Sequence, residues 1–270
     1  MDLHPRRWIW RAAEKRLAPL PAPGLGERVP VFVLATARAG SHHLTGLLRA
    51  APGVSVRGEI LNPKSIPRWL RPLVRNQSMR FTSRPRALGY VARTLAAMPG
   101  PVCVVRLLPS HLARAGISAQ DLHEAFPDAW FLVLYRRSLA AQWVSWRISR
   151  ATGRWASWGE NRFEPFAGKI AFDPAGFRRY CDGIRADYAA FLAAPGVAKR
   201  GIVVCHEDVC ADPDAVLGAR VFPRLGIAPR PVSSPWRKMN TRPLEDVVED
   251  FESARPLLTS PEARQDWALP

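Results

Sequence analysis

Four short apolar runs, Val31–Leu34, Val102–Val105, Trp130–Tyr135 and Ile202–Cys205, punctuate the chain between stretches where apolar residues recur at helical spacing. A run that is apolar throughout, rather than alternating, suits a strand buried on both faces of a parallel sheet. Such strands alternating with helices predict an α/β protein, with a mainly parallel central sheet flanked by helices in three layers. The helical spacing predicts helices over Ser41–Ala50, Ala119–Phe126, Ala140–Arg150, Pro174–Leu192, Pro213–Leu225 and Pro243–Ala254. Several starts are readable. Ser118 with Asp121 three residues on approximates a capping box, while Asp173-Pro174 and Asp212-Pro213 each put an N-cap before a proline at the first helical position. Asn62 to Met98 is rich in Arg and Pro with little periodicity, and together with Ala151 to Ile170 is expected to cover the sheet edge, where open α/β sheets bind ligands beyond the carboxyl ends of their strands.

The junction after the first run carries the most chemistry. Thr36-Ala-Arg-Ala-Gly-Ser-His42 leads straight into a helix, so backbone N–H groups and the positive helix end converge there. Gly40 lets the backbone approach a ligand closely, and Arg38 can add a charge-assisted contact to phosphate or sulfate. The P-loop of ATPases is excluded on its diagnostic residue, since Gly40 is followed by Ser41 rather than Lys-Ser or Lys-Thr; the dinucleotide fingerprint fails for want of its second and third glycines. A second junction resembles the first in chemistry. The strand ending at Tyr135 runs into Arg136-Arg137 and then a helix bearing Ser145, eight residues after Arg137, so that the chain reversal can aim Arg137 and Ser145 at one phosphate. Two such cradles suit a ligand with two separated phosphate groups.

Composition narrows the partners without choosing among them. At 270 residues and 47% hydrophobic the chain can bury a full core, and a formal net charge of +16 points to an anionic partner. No run approaches the roughly 20 apolar residues that span a bilayer, and the start has neither the apolar stretch nor the cleavage site of a signal peptide, so the expected address is cytoplasmic. Arg6 to Leu17, with Trp8, Ile9 and Trp10 among basic residues, reads as a basic amphipathic helix that either contacts the inner membrane peripherally or packs on the domain. The four cysteines form no CxxC pair, and Cys205-His206 with Cys210 fits no zinc spacing, so neither disulfides nor a metal are expected.

On these residues the chain resembles the sulfotransferases that use 3′-phosphoadenosine-5′-phosphosulfate (PAPS), above all the bacterial carbohydrate and glycolipid group that includes trehalose and nodulation-factor sulfotransferases. The resemblance implies a P-loop-NTPase-like fold over 29–258, between a basic extension (1–28) and a C-terminal tail (259–270). It implies that Thr36, Arg38, Ala39, Gly40, Ser41 and His42 hold the 5′-phosphosulfate, and that Arg137 and Ser145, with Arg136 beside them, hold the 3′-phosphate. Gly58-Glu59-Ile60 resembles the Gly-Glu segment whose Glu is the catalytic base. Arg106 through His111, and Thr152-Gly153-Arg154-Trp155, resemble segments that meet the acceptor, giving Glu59, Arg106, His111 and Trp155 to that side. Lys238-Met-Asn-Thr-Arg242-Pro-Leu244 resembles a stretch that closes over the nucleotide. Three residues depart from the pattern: Ala37 stands for a proline, His42 for a hydroxyl residue and Ser138 for an acidic one. Leu108 stands where cytosolic animal-type enzymes carry a catalytic His.

The function so implied is in-line transfer of a sulfuryl group from PAPS to a carbohydrate or glycolipid hydroxyl, leaving adenosine 3′,5′-bisphosphate (PAP). Glu59 is the expected base, and Arg38 and His42 are expected to stabilise the transferring charge. The competing reading is a non-catalytic nucleotide-binding protein, or a basic nucleic-acid or membrane-surface protein, on a degenerate sulfotransferase fold. No helix-turn-helix, zinc-finger or RNP pattern supports a specific nucleic-acid partner.

Overall fold

A computed structural model of the chain describes residues 25–62, 83–155, 166–234 and 242–269. The basic N-terminal helix expected over Arg6 to Leu17, and Lys238, lie outside the described residues. In chain order the elements are β1 (Val29–Ala35), α1 (Ser41–Arg49), β2 (Val54–Glu59), α2 (Arg84–Ala96), β3 (Val102–Leu107), α3 (Pro109–Ala115), α4 (Ala119–Ala125), β4 (Trp130–Tyr135), α5 (Leu139–Thr152), α6 (Pro174–Leu192), α7 (Pro195–Arg200), β5 (Gly201–Cys205) and α8 (His206–Ala211). A π-helical stretch, Asp214–Val221, and a 3₁₀ turn, Pro223–Leu225, follow, and then α9 (Leu244–Val247), α10 (Phe251–Leu258) and a last 3₁₀ turn, Pro261–Ala263.

The strands form one parallel sheet in the order β2-β3-β1-β4-β5, with helices in every connection, which is the α/β class that the apolar runs predict. From β1 the chain passes to β2 and β3 on one side and then crosses to β4 on the other, so the strand order reverses between β1 and β4. Crevices at such a reversal are where open α/β sheets take their ligands. The loop carrying Arg38 follows β1 and the Arg136-Arg137 pair follows β4.

Two compact units divide the chain. One takes the described residues of Met1–Leu34, Pro52–Leu132 and Ala193–Gly201; the other takes Ala35–Ala51, Val133–Leu192 and the described residues of Ile202–Pro270. In the first, Phe32 packs between Phe126 and Phe131, with ring centroids 5.5 and 5.6 Å away. All six residues of β3 are buried, Arg106 among them. The capping box at Ser118 forms as expected: the Asp121 N–H donates to Ser118 Oγ at 3.1 Å and the Ser118 N–H to Asp121 Oδ2 at 2.7 Å.

In the second unit the core gathers Trp143, Phe172 and Phe177, whose rings meet near edge to face at 5.5 and 5.6 Å around Trp143. Asp173 and Asp212 cap as their sequence positions predict, accepting from the N–H groups of Gly176 at 2.8 Å and Ala215 at 2.9 Å. Two predicted helices are broken. Over 213–225 the π-helical stretch gives way to a 3₁₀ turn at Pro223, which has no N–H to continue the ladder. Over 243–254 the helix stops at Val247, and Val248 instead bridges Ile170 as a short parallel pair. The segment after Leu258, expected as a tail, is packed: Trp267 lies 6.0 Å from Tyr188, and Gln265 is buried, its N–H donating to the Arg137 carbonyl at 3.0 Å and its Nε2 to the Arg136 carbonyl at 2.9 Å.

Candidate functional site

The loop after β1 is held from within. Gln142, fully buried on α5, donates through Nε2 to Thr36 Oγ1 and to the Ala37 carbonyl, both at 2.8 Å. Tyr188 on α6 spends its proton on the Leu134 carbonyl at 2.6 Å, so the 3.1 Å contact between Thr36 Oγ1 and Tyr188 Oη has Thr36 as donor. A one-way chain of donors thus runs from Gln142 through Thr36 and Tyr188 to β4. Thr36, expected at the cofactor, has its hydroxyl buried and occupied in this chain and so positions the loop.

Beyond Thr36 the backbone turns left-handed twice, at Arg38 (φ 65°) and at Gly40 (φ 93°). Gly40 is favoured on two counts: an added Cβ would run into the His206 ring, and the φ is one that L side chains avoid. Ala39 is fully buried, Ser41 is buried at the first position of α1, and His42 is half-buried beside it. His43 meets the edge of the His206 ring at 6.3 Å.

Arg38 is turned to α5. Its Nε donates to Ser145 Oγ at 3.0 Å, and its guanidinium also donates to the Trp155 carbonyl. Burial lowers the Arg38 guanidinium from its ordinary value to about 10, with Arg136 pushing the same way and Tyr180 opposing. Arg136 is itself lowered by burial, and Glu207 only partly offsets this: Arg136 Nε has no hydrogen-bond partner among the described residues, and Glu207 Oε1 lies 3.9 Å from it. Two half-buried cations thus lie near each other after β1 and β4, each disfavouring the other's charge.

The expected partnership of Arg137 with Ser145 is not what the structure shows. Arg137 is turned away to Asp208, its NH2 lying 3.0 and 3.2 Å from the two carboxylate oxygens, and this bond raises the guanidinium further above its ordinary value. Arg136 and Arg137 follow each other out of β4, so their side chains leave on opposite sides; Arg136 is the one that shares a neighbourhood with Arg38. Glu207, which no sequence motif marks, accepts the N–H groups of Arg137 at 2.8 Å and Ser138 at 3.1 Å. Burial alone would raise its carboxyl, but these donations outweigh it and hold the group low. Ser138, where the resemblance expects an acid, caps α5 by accepting from the Ala141 N–H at 3.1 Å. Arg242, expected at the nucleotide, donates to the carbonyls of Phe166 at 2.9 Å, Gly168 at 3.2 Å and Asp246. Trp155 is 44% exposed, whereas Trp143 is core.

In the first unit Glu59 is the last residue of β2 and not a loop residue. Register explains how it arrives: Arg57 pairs with Val105 and Glu59 with Arg106, so Gly58 is the extra residue of a bulge that sets Glu59 opposite Arg106. Gly58 also leaves room for the arginine, since a Cβ there would lie 3.2 Å from Arg106 NH2. Arg106 NH2 is 3.8 Å from Glu59 Oε1, His111 Nε2 is 3.9 Å from Oε2, and Asn62 Nδ2 donates to Oε2 at 2.8 Å. Glu59, Arg106 and His111 therefore form one cluster of side chains.

Burial lowers His111 from its ordinary 6.5, with Glu59 pulling up and Arg114 and Arg106 pushing down; burial lowers His43 likewise. Below 6.5 the unfolded chain thus binds more protons than the folded one, and stability rises with pH through that window. It is fully present above 6.5 and is lost as pH falls through the lowered folded values. Urea unfolding followed from about pH 7.5 down to about pH 5 should show this decline, and His111→Gln should flatten it. An unchanged slope in the variant would locate the effect elsewhere.

Among the described residues no group of three or more His, Cys, Asp and Glu side chains could hold a metal, the four cysteines are free, and no helix is long and apolar enough to cross a membrane. No family model and no curated protein sequence matches the chain. Among solved structures the chain is similar to a sulfotransferase from Alicyclobacillus acidocaldarius, at 16% identity over 87% of this chain and 92% of that one, with a TM-score of 0.49. It is also similar to the sulfotransferase domain of the Synechococcus PCC 7002 olefin synthase, at 16% identity over 94% and 93%, with a TM-score of 0.44.

Proposed function

We propose that the chain is a sulfotransferase that moves a sulfuryl group from PAPS to a hydroxyl of a carbohydrate or glycolipid. The observation that carries this reading is the pairing of Arg38 with Ser145 and Arg136 after neighbouring strands, in the sequence setting that resembles PAPS enzymes. Two guanidiniums, a serine hydroxyl and the N–H groups of a left-handed loop are donors gathered in one place, and the phosphate groups of a nucleotide are acceptors matched to them. PAPS, when bound, supplies the activated sulfuryl group.

The reaction forms a bond from the acceptor oxygen to sulfur and breaks the bond from sulfur to the 5′-phosphate oxygen, leaving PAP. The acceptor hydroxyl loses a proton, and Glu59 takes it: Asn62 fixes one carboxylate oxygen and Arg106 and His111 flank the group. Arg38 and the N–H groups about Gly40 stabilise charge on the transferring and leaving oxygens, the larger share of catalysis where the transition state is loose. The exposed Trp155 ring offers a sugar an apolar face. His42 stands at the same helix start as a further donor.

A thermal-shift series with PAP, 5′-AMP, ATP and a short DNA duplex tests the reading. A ligand at about 100 times its Kd adds roughly 2.7 kcal/mol to stability, so PAP should raise Tm at concentrations where 5′-AMP and the duplex do nothing. An equal response to all four would leave only a basic surface and refute the assignment.

A further inference from the structure

Among the described residues of the second unit, the Tyr180 hydroxyl is a buried polar group that neither the fold nor the chemistry above uses. Helix α6 carries two tyrosines eight residues apart. Tyr188 is consumed within the fold, bonded to Leu134 and Thr36. Tyr180 is not: its ring packs against Trp146 with centroids 5.5 Å apart, and its hydroxyl oxygen is buried with no hydrogen-bond partner among the described residues. Buried hydroxyls are nearly always bonded, so one that is not calls for an explanation.

Its surroundings supply one. Trp146, against which the Tyr180 ring packs, follows Ser145 on α5, and Ser145 Oγ accepts the Arg38 Nε bond at 3.0 Å, which puts the phenol in the neighbourhood of Arg38 and Arg136. Guanidiniums donate and do not accept, so neither can take the phenol proton. Burial drives the phenol well above its ordinary 10, so it stays protonated at any physiological pH. A donor O–H beside two donor-only cations is satisfied by an acceptor that arrives from outside, and an anion with several oxygens can take all three.

We propose that the Tyr180 hydroxyl donates a hydrogen bond to the phosphate group held beside Arg38 and Arg136. The proposal rests on the sulfotransferase reading for the identity of the nucleotide, and on this geometry alone for the presence of the anion. Trp146 fixes the ring, so the donor is in place before the ligand arrives and little freedom is lost on binding.

Tyr180→Phe removes the hydroxyl and keeps the ring. Because the oxygen makes no bond in the fold, the variant should unfold at or above the wild-type Tm. Its Kd for PAP by calorimetry should rise about tenfold or more, the usual effect of deleting a neutral donor to a charged acceptor. The chain has four tyrosines, so ¹³Cζ-tyrosine labelling gives a second reading, with signals assigned by Phe replacement of each in turn: the Tyr180 resonance should move when PAP is added. An unchanged Kd or an unmoved resonance overturns the proposal. If PAP does not bind the wild type but inorganic phosphate does, the sulfotransferase reading fails and the same two measurements with phosphate decide on Tyr180. If the wild type binds neither, both fail.

Discussion

Glu59→Gln should cut turnover by about 10² to 10⁴-fold, the range for loss of a general base, while leaving the affinity for PAP unchanged. The substitution keeps the shape of the side chain and an oxygen for the 2.8 Å bond from Asn62, so the end of β2 should hold its course. What it removes is the site for the proton and the negative charge 3.8 Å from the buried Arg106. Leaving that arginine without its carboxylate costs stability, so turnover must be measured well below the variant's own Tm. Rates with saturating acceptor separate the two roles: a base lost shows in kcat, whereas a carboxylate that only positioned the acceptor shows in KM. Wild-type kcat in Glu59→Gln would sink the assignment of the base.

What was legible in the sequence follows how local each signal is. Trp130–Tyr135 and Pro174–Leu192 emerge with the boundaries their patterns predict, one a continuous apolar run and the other opened by Asp-Pro. Strand β2 escapes because it is half-exposed and ends on Arg57, Gly58 and Glu59, none of which reads as strand; its pairing with β3 makes it one. Helix α2 hides within an Arg- and Pro-rich stretch, though Ala87, Val91 and Leu95 lie buried at helical spacing and Pro85 stands in its first turn. At the site, the Arg38 loop and the Gly58-Glu59 pair are visible because each is a contiguous motif. Which arginine of the pair turns toward Arg38, and that Glu207, Gln142, Tyr180 and Tyr188 take part, depends on contacts far apart in sequence.

Arg38 should be the residue at which stability and activity move in opposite directions. It is one of two non-glycine residues with a left-handed backbone among those described, at φ 65°, a conformation that costs an L side chain about 1 kcal/mol or more. Its guanidinium is also dehydrated and repelled by Arg136. Arg38→Ala removes the charge but keeps the backbone penalty; Arg38→Gly removes both, less the extra freedom glycine has when unfolded. Urea unfolding should therefore find Arg38→Gly more stable than Arg38→Ala by roughly 1 kcal/mol. Both variants should lose activity by about 10² to 10³-fold, as when one donor to a developing oxyanion is deleted. Arg38→Lys restores the charge but not the planar fork that reaches Ser145, so it should recover only part of the rate. Equal stability of the Gly and Ala variants would show that the loop is unstrained, and wild-type turnover in either would remove Arg38 from the chemistry. A strained position that is occupied by arginine where glycine fits better is what selection for the guanidinium, against the preference of the backbone, would leave behind.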